Sequence, residues 1–371
     1  MKVKSIALTV AILAAVTAAV WYWQRDRDSG PVADARVGQT LLDAATVARI
    51  GGMTLVSGGN TITLNGIDPA ALKAGVVKEY HDLPADYAKV ARVIEDLLKP
   101  ESRITRFLSA RPDRIEKLGF KGDRIELRDR DGKVFWTLHL GDSQERGGRF
   151  IKYGDESKAY LSGLALWIDT NARSWAEAAL IGAKGDDVVG IEVVLPSGET
   201  LAATRVDGRG VWKSPGLAEG ESPKDAEWTT LAGKLAGLRF LDTGEPLTAD
   251  AIAGRPGARR YTVTLADGRI FKVVTSQRLE APPVETKELA EGETPPAPQA
   301  PPADVWVSSS RAEDAVNSSM TRRGFQIAEW VLNGLASTRE ALVNPPAPAA
   351  APAPSATEET APIPQAAPGA P

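Results

Sequence analysis

Few residues in this chain are of types that do chemistry. Its two histidines are His81, in EYHDLPAD, and His139, in TLHLGD. A histidine can serve as a general base or a metal ligand. Neither has partners at a recognisable spacing, and the sequence holds no GxSxG, HExxH, P-loop or GxGxxG motif. His139 alternates with Leu138 and Leu140, so it faces away from the apolar side of a strand. His81 precedes a helix. Both read as solvated. Carboxylates gather once, where Asp142, Glu145, Asp155 and Glu156 fall within one loop region. They could hold a cation or work as an acid/base pair, but they lack the alternate spacing of an EF-hand loop. A solvated loop is expected. Arg146, Gly147, Gly148 and Arg149 have the form of an anion cradle built from backbone N–H groups, and equally that of a turn. There is no cysteine, which excludes disulfides, zinc–thiolate sites, iron–sulfur clusters and cysteine nucleophiles. The expectation is a protein that is not an enzyme, with no catalytic residues, cofactor or metal.

Nine tryptophans are the other candidates. Trp136, Trp167, Trp175, Trp228 and Trp330 lie among apolar residues of predicted elements, so core packing is expected. Trp212 and Trp306 read the same way. Trp21 and Trp23 belong to the N-terminal segment. A carbohydrate-stacking platform would need several of these rings exposed together.

The elements that must position these residues follow from length and pattern. The chain has 371 residues, enough for two or three domains. With 43% hydrophobic and 25% charged residues it is globular in composition. Its net charge of −4 lacks the basic surplus of a nucleic-acid binder. The Asp-Gly pairs in DGKVF (131–135) and DGRIF (267–271) sit between alternating strands and predict hairpins. Upstream of each lies an amphipathic helix, marked by Tyr87, Val90, Ile94 and Leu97 and by Trp228, Leu231, Leu235 and Leu238. Pro84 and Pro223 stand near the helix starts, and Ser222 is the expected N-cap of the second. Upstream again, VSGGNTITL (56–64) matches LPSGETLAA (195–203). Downstream, AYLSG (159–163) matches VWVSS (305–309), and helical stretches are expected at 164–181 and 325–343. The fold class is therefore α+β. Two similar modules, 45–182 and 187–343, each carry an antiparallel or mixed sheet with packed helices. A Pro-rich acidic insertion, 280–304, interrupts the second, and a Pro/Ala-rich tail, 344–371, is expected to be disordered.

The N-terminus reads as a membrane anchor over residues 1–30. Ile6 to Trp23 is uncharged, and its 18 residues would make a helix of about 27 Å, close to the roughly 30 Å of a hydrocarbon core. Ile6, Leu8, Ile12 and Leu13 supply the apolar body, and Trp21, Tyr22 and Trp23 the interfacial belt. A cleaved signal peptide is the rival reading. Either way the bulk is expected outside the cytoplasmic membrane, in the periplasm, with no nucleic acid among its partners.

Taken together, VARIGGMTLVSGGNTITL, YHDLPADYAKVARVIEDLLK, FLSARPDRIEKLGF, IELRDRDGKVFWTLHLGD, GGRFIKY, AYLSG and NARSWAEAALI resemble the bacterial domain-of-unknown-function family numbered four-three-four-zero. The likeness is expected to be best over residues 45–182 and thinner beyond. It implies a single-pass inner-membrane protein that serves an ABC-type transporter of the gliding-motility kind, as an accessory or substrate-handling subunit beside its permease and ATPase chains. It implies no reaction. The alternative is an anchored module that binds an envelope glycan.

Overall fold

The computed structural model describes residues 34–145, 147–154, 156–278 and 302–346. The chain divides into two compact units between Ala178 and Ala179.

In the first unit, positive-φ glycines make the turns and alternation makes the strands. Gly58 and Gly59, at φ 58° and 81°, close a two-residue turn between β1 (Gly52–Ser57) and β2 (Asn60–Asn65). Two short strands follow, β3 (Val76–Val77) and β4 (Leu83–Pro84). Helix α1 (Tyr87–Leu98) starts at Asp86, whose carboxylate accepts from the N–H groups of Ala88 and Lys89. Its buried stripe is Val90, Val93, Ile94 and Leu97, each worth about 1.5–3 kcal/mol of burial at most. The helix is followed by β5 (Ile104–Ser109), and then by a run of hairpins, β6 (Arg124–Arg128), β7 (Val134–Ser143), β8 (Arg149–Tyr153) and β9 (Ala159–Ser162). Gly132, at φ 81°, turns β6 into β7, and the Asp129 carboxylate accepts from the N–H groups of Asp131 and Lys133 to hold that turn. The sheet order is β4-β3-β2-β1-β6-β7-β8-β9-β5, with every pair antiparallel. β5, which follows the helix, thus sits at the opposite edge from β4.

The second unit opens with β10 (Val188–Val194) and β11 (Thr200–Thr204), and then β12 (Ser222–Pro223). Helix α2 (Asp225–Ala236) buries Trp228, Leu231, Ala232, Leu235 and Ala236. The indole N–H of Trp228 donates to Leu342 O at 3.0 Å, and that of Trp212 to Thr229 Oγ1 at 3.0 Å. Both rings are fully buried, so these bonds satisfy donors that would otherwise be costly. Next come β13 (Asp242–Gly244), a helical turn at Ala249–Ala253, β14 (Arg259–Leu265), β15 (Ile270–Gln277), β16 (Ala303–Ser309), helix α3 (Ala315–Arg322) and β17 (Gly324–Ile327). The sheet order is β11-β10-β14-β15-β16-β17-β13, again antiparallel throughout. β18 (Val343–Asn344) pairs only with β12 among the described residues.

Several expectations are corrected. Ser222 lies in β12 and is not the N-cap, which is Lys224; Pro84, in β4, does stand just before its helix, capped by Asp86. Residues 164–181 hold only the turn Ala172–Trp175, and 325–343 only Glu329–Asn333 and Arg339–Ala341. AYLSG and VWVSS do not hold like places. AYLSG forms β9, next to the edge strand, whereas VWVSS lies in β16, one strand further in. Asp304, taken as part of the insertion, is a buried β16 residue bonded to Arg255 at 2.5 Å. Asn344 belongs to β18, not to the tail. The anchor residues Ile6, Leu8, Ile12, Leu13, Trp21, Tyr22 and Trp23 and the rest of the tail lie outside the described residues. Among the described residues no helix is long and apolar enough to cross a membrane.

A Cβ on Gly163, just after β9, would stand 1.9 Å from Glu101 O. Gly163→Ala should therefore cost about 1–3 kcal/mol, read as a lower urea midpoint at unchanged slope. Gly233→Ala is the opposite case. Its Cβ meets nothing within 4 Å inside α2, so the same measurement should show a gain of about 0.5–1 kcal/mol.

Candidate functional site

The residues singled out for chemistry do not assemble into a site. His139 is half-buried on β7 opposite Arg124, with Leu138 and Leu140 buried on the other face. His81 is exposed in a left-handed conformation, at φ 60°. Asp142 faces Lys121 at 3.8 Å, and Glu156 pairs with Arg36. Asp155 and Arg146 lie outside the described residues. Gly147 N donates to Gln144 O at 3.0 Å, so that N–H closes its own turn rather than facing an anion. Arg149 donates to Gly141 O at 2.8 Å, to Leu166 O at 3.0 Å and towards Asp123 at 3.5 Å, and burial pulls its pKa down. It is a brace between β8 and the chain beyond β9. Among the described residues no group of three or more His, Asp or Glu could hold a metal ion. Asp304, buried, and its half-buried partner Arg255 line an open pocket of about 320 Å³ with Gln326 and Glu245. The Thr275 hydroxyl also donates to Asp304 O, at 3.0 Å.

The tryptophans separate into two sets. Trp175, Trp212 and Trp228 are buried, and Trp136 and Trp306 half-buried, as core packing requires. Trp167 and Trp330 are 80% and 78% exposed, against the expectation. Exposed rings of this size are the informative exception to hydrophobic burial. Each stands on the chain segment that follows a next-to-edge strand and runs back beside its unit's long helix.

In the first unit that segment and α1 enclose a groove of about 190 Å³. Its sides are Lys89, Arg92, Val93 and Asp96 from the helix and Ala165 to Asp169 from the segment. Asp169 fastens the segment. Its carboxylate accepts from Ser174 Oγ, from Asn171 N at 2.9 Å and from Lys89 Nζ at 3.3 Å. Its carbonyl takes the Trp175 indole N–H at 2.7 Å. Burial pushes the Asp169 carboxyl up, but these hydrogen bonds and the Lys89 charge outweigh it and hold the pKa below the ordinary value.

In the second unit the groove is larger, about 460 Å³, and mostly apolar. The end of α2 and the following turn give Gly233, Lys234, Gly237, Leu238, Arg239, Phe240 and Leu241; the segment after β17 gives Ala328, Trp330, Val331 and Gly334. Here the segment is fastened through its carbonyls. Arg259 donates to Leu332 O and to Leu335 O, the latter at 2.9 Å; Tyr261 Oη donates to Ala336 O at 2.8 Å; Lys234 Nζ donates to Gly334 O at 2.6 Å. Arg259 Nε is buried without a partner. Burial pushes the Tyr261 phenol far up, so it donates throughout the physiological range.

Each groove offers apolar contact area beside a few charged side chains. Covering one exposed indole removes on the order of 150 Å² of mostly apolar surface, about 4 kcal/mol gross at 25 cal/mol per Å². A surface ion pair contributes about 0–1 kcal/mol, so the rings would carry the affinity. Sequence reading missed them by treating tryptophan as core. A period-two signal was present: Leu164 and Ile168 are buried, Leu166 is half-buried, and Ala165 and Trp167 face out.

Comparison with known proteins bears on one stretch. Residues 76–253 match the family model for Domain of unknown function (DUF4340). The DUF4340 match begins at β3 and ends in the turn after β13, so it omits β1 and β2 and takes in α2. That differs from the expected 45–182. It includes the Trp167 segment and stops short of Trp330. No curated protein and no solved structure matches the chain.

The Asp169 carboxylate supplies stability that is present above the unfolded carboxyl pKa of about 3.9 and is lost as pH falls through its lower folded value. Acid titration below about pH 4 should open the 164–175 segment, read as a change in tryptophan emission. In Asp169→Asn the change should be present already at neutral pH, with no acid step.

Proposed function

We propose that the protein is a non-enzymatic, membrane-anchored accessory subunit that binds a partner polypeptide through the tryptophan grooves of two like modules. The observation that carries this reading is the recurrence of the groove. In both units an exposed tryptophan stands on the segment after the next-to-edge strand, beside the helix that follows the first hairpin. A single exposed apolar residue needs no explanation; the same ring in the same topological place twice does.

The duplication is supported by strand order. Leaving out β3 and β4, seven strands of the first unit run β2-β1-β6-β7-β8-β9-β5, and those of the second run β11-β10-β14-β15-β16-β17-β13. Position by position these correspond, with α1 and α2 at the same point in the chain. In this correspondence RFIKY pairs with the VWVSS strand, and the acidic Pro-rich stretch falls at the tip of one hairpin.

The family resemblance supplies the partner: permease and ATPase chains of an ABC-type system, with the body in the periplasm and residues 1–30 in the inner membrane. A second reading, binding of an envelope glycan, draws on the same exposure of Trp167 and Trp330, since sugars stack on open indoles. It would make the intrinsic fluorescence respond to cell-wall fragments, and Trp167→Phe with Trp330→Phe would abolish that response.

The full-length protein extracted in mild detergent should bring ABC permease and ATPase chains with it, identified by mass spectrometry. The Trp167→Ala/Trp330→Ala chain should lose most of that material at unchanged thermal stability, because both rings are exposed. A wild-type protein that comes out alone would sink the proposal.

A further inference from the structure

The Trp330 groove has the chemistry of a site for proline-rich chain. Its base and walls are apolar, formed by Leu238, Phe240, Leu241 and Val331 beside the open indole. Aromatic-lined grooves of this kind take polyproline-type segments, whose preformed extended helix loses little entropy on docking. Gly233 adds a second sign. It sits inside α2, where glycine costs about 1 kcal/mol relative to alanine, yet a Cβ there would enter open space. Packing within the unit does not ask for glycine at this position, whereas a wide groove does.

The same chain supplies an occupant. Residues 347–371 read APAAAPAPSATEETAPIPQAAPGAP. Ile363, flanked by Pro362 and Pro364, is the only residue there with an aliphatic side chain larger than proline, and Glu358 and Glu359 lie just before it. Lys234 and Arg239 put positive charge on the groove wall. Reach is sufficient. β18 ends at Asn344 against β12, at the N-terminal end of α2, and the groove lies at the other end of that helix. Twelve helical residues span about 18 Å. The 16 residues after Pro346, up to Pro362, would reach about 50 Å if in polyproline form. A tether of this length holds its end at an effective concentration on the order of 1 mM, so even a millimolar intrinsic affinity gives substantial occupancy.

We infer that the C-terminal segment 347–371 docks its Pro362-Ile363-Pro364 stretch into the Trp330 groove of its own second unit, and so competes with the partner there. The inference deepens the reading of the groove as a docking surface and rests on it.

The chain has no cysteine, so A366C in the full-length protein carries a single thiol for a bimane dye, which tryptophan quenches on contact. Bimane emission should rise severalfold when W330F is added to that chain, and not when W167F is added, at any protein dilution. P362A/P364A and G233A should each relieve the quenching as well. Unchanged emission with W330F would overturn the inference, as would relief by W167F instead. Quenching that grows with protein concentration would assign the groove to the tail of a second copy and overturn docking in its own chain. The tail and the partner are tested apart. Quenching without co-purified transporter chains refutes the partner, and tryptophan-dependent co-purification without quenching refutes the tail.

Discussion

The sheet of each unit must be covered and crossed by the same element. After the first hairpin the chain enters α1 or α2 and next forms the strand at the far edge, β5 or β13. The connection that holds the helix therefore crosses the sheet, and the helix buries its apolar stripe on the way. Everything later is a meander between the first hairpin and that far strand. When the meander has been laid down, the chain leaves its last strand beside the helix it made earlier. A groove between helix and returning segment follows from this order of events, and it follows twice.

The two units fix that returning segment by different chemistry. The first uses a side-chain carboxylate, Asp169, which gathers a hydroxyl, an amide and an ammonium. The second uses Arg259, Tyr261 and Lys234 as donors to carbonyls of the segment. One fastening is sensitive to acid; in the other, burial pushes the Tyr261 phenol up, so that donor is kept. The two segments thus hold like places in sheets of the same strand order by different means.

The legible parts of the sequence were the local ones. Asp131-Gly132 and Asp267-Gly268 fixed two hairpins, because only glycine accepts the positive φ of those turns cheaply. The spacing of Val90, Ile94 and Leu97 located α1 for the same kind of reason. Of the helical stretches expected at 164–181 and 325–343 only Ala172–Trp175, Glu329–Asn333 and Arg339–Ala341 form, because the other apolar residues there answer to tertiary neighbours, and Gly324 to Ile327 is a strand flanked by β16 and β13. Ser222 looks like a helix cap but is claimed by a strand pair. The exposure of Trp167 and Trp330 was hidden by their residue type, since nothing in an indole states which way it faces.

The β15–β16 hairpin keeps an unbroken register from Phe271↔Ser309 out to Gln277↔Ala303, although roughly 25 residues separate its last paired residues. In the other unit the corresponding strands are joined by a handful. Loop closure grows only logarithmically with length, about 0.6 kcal/mol per doubling, so a pairing zipped to its tip hardly notices what hangs beyond it. That tip is a tolerant port in the fold. A reporter or a foreign domain could be carried there while the strands beneath it keep their partners.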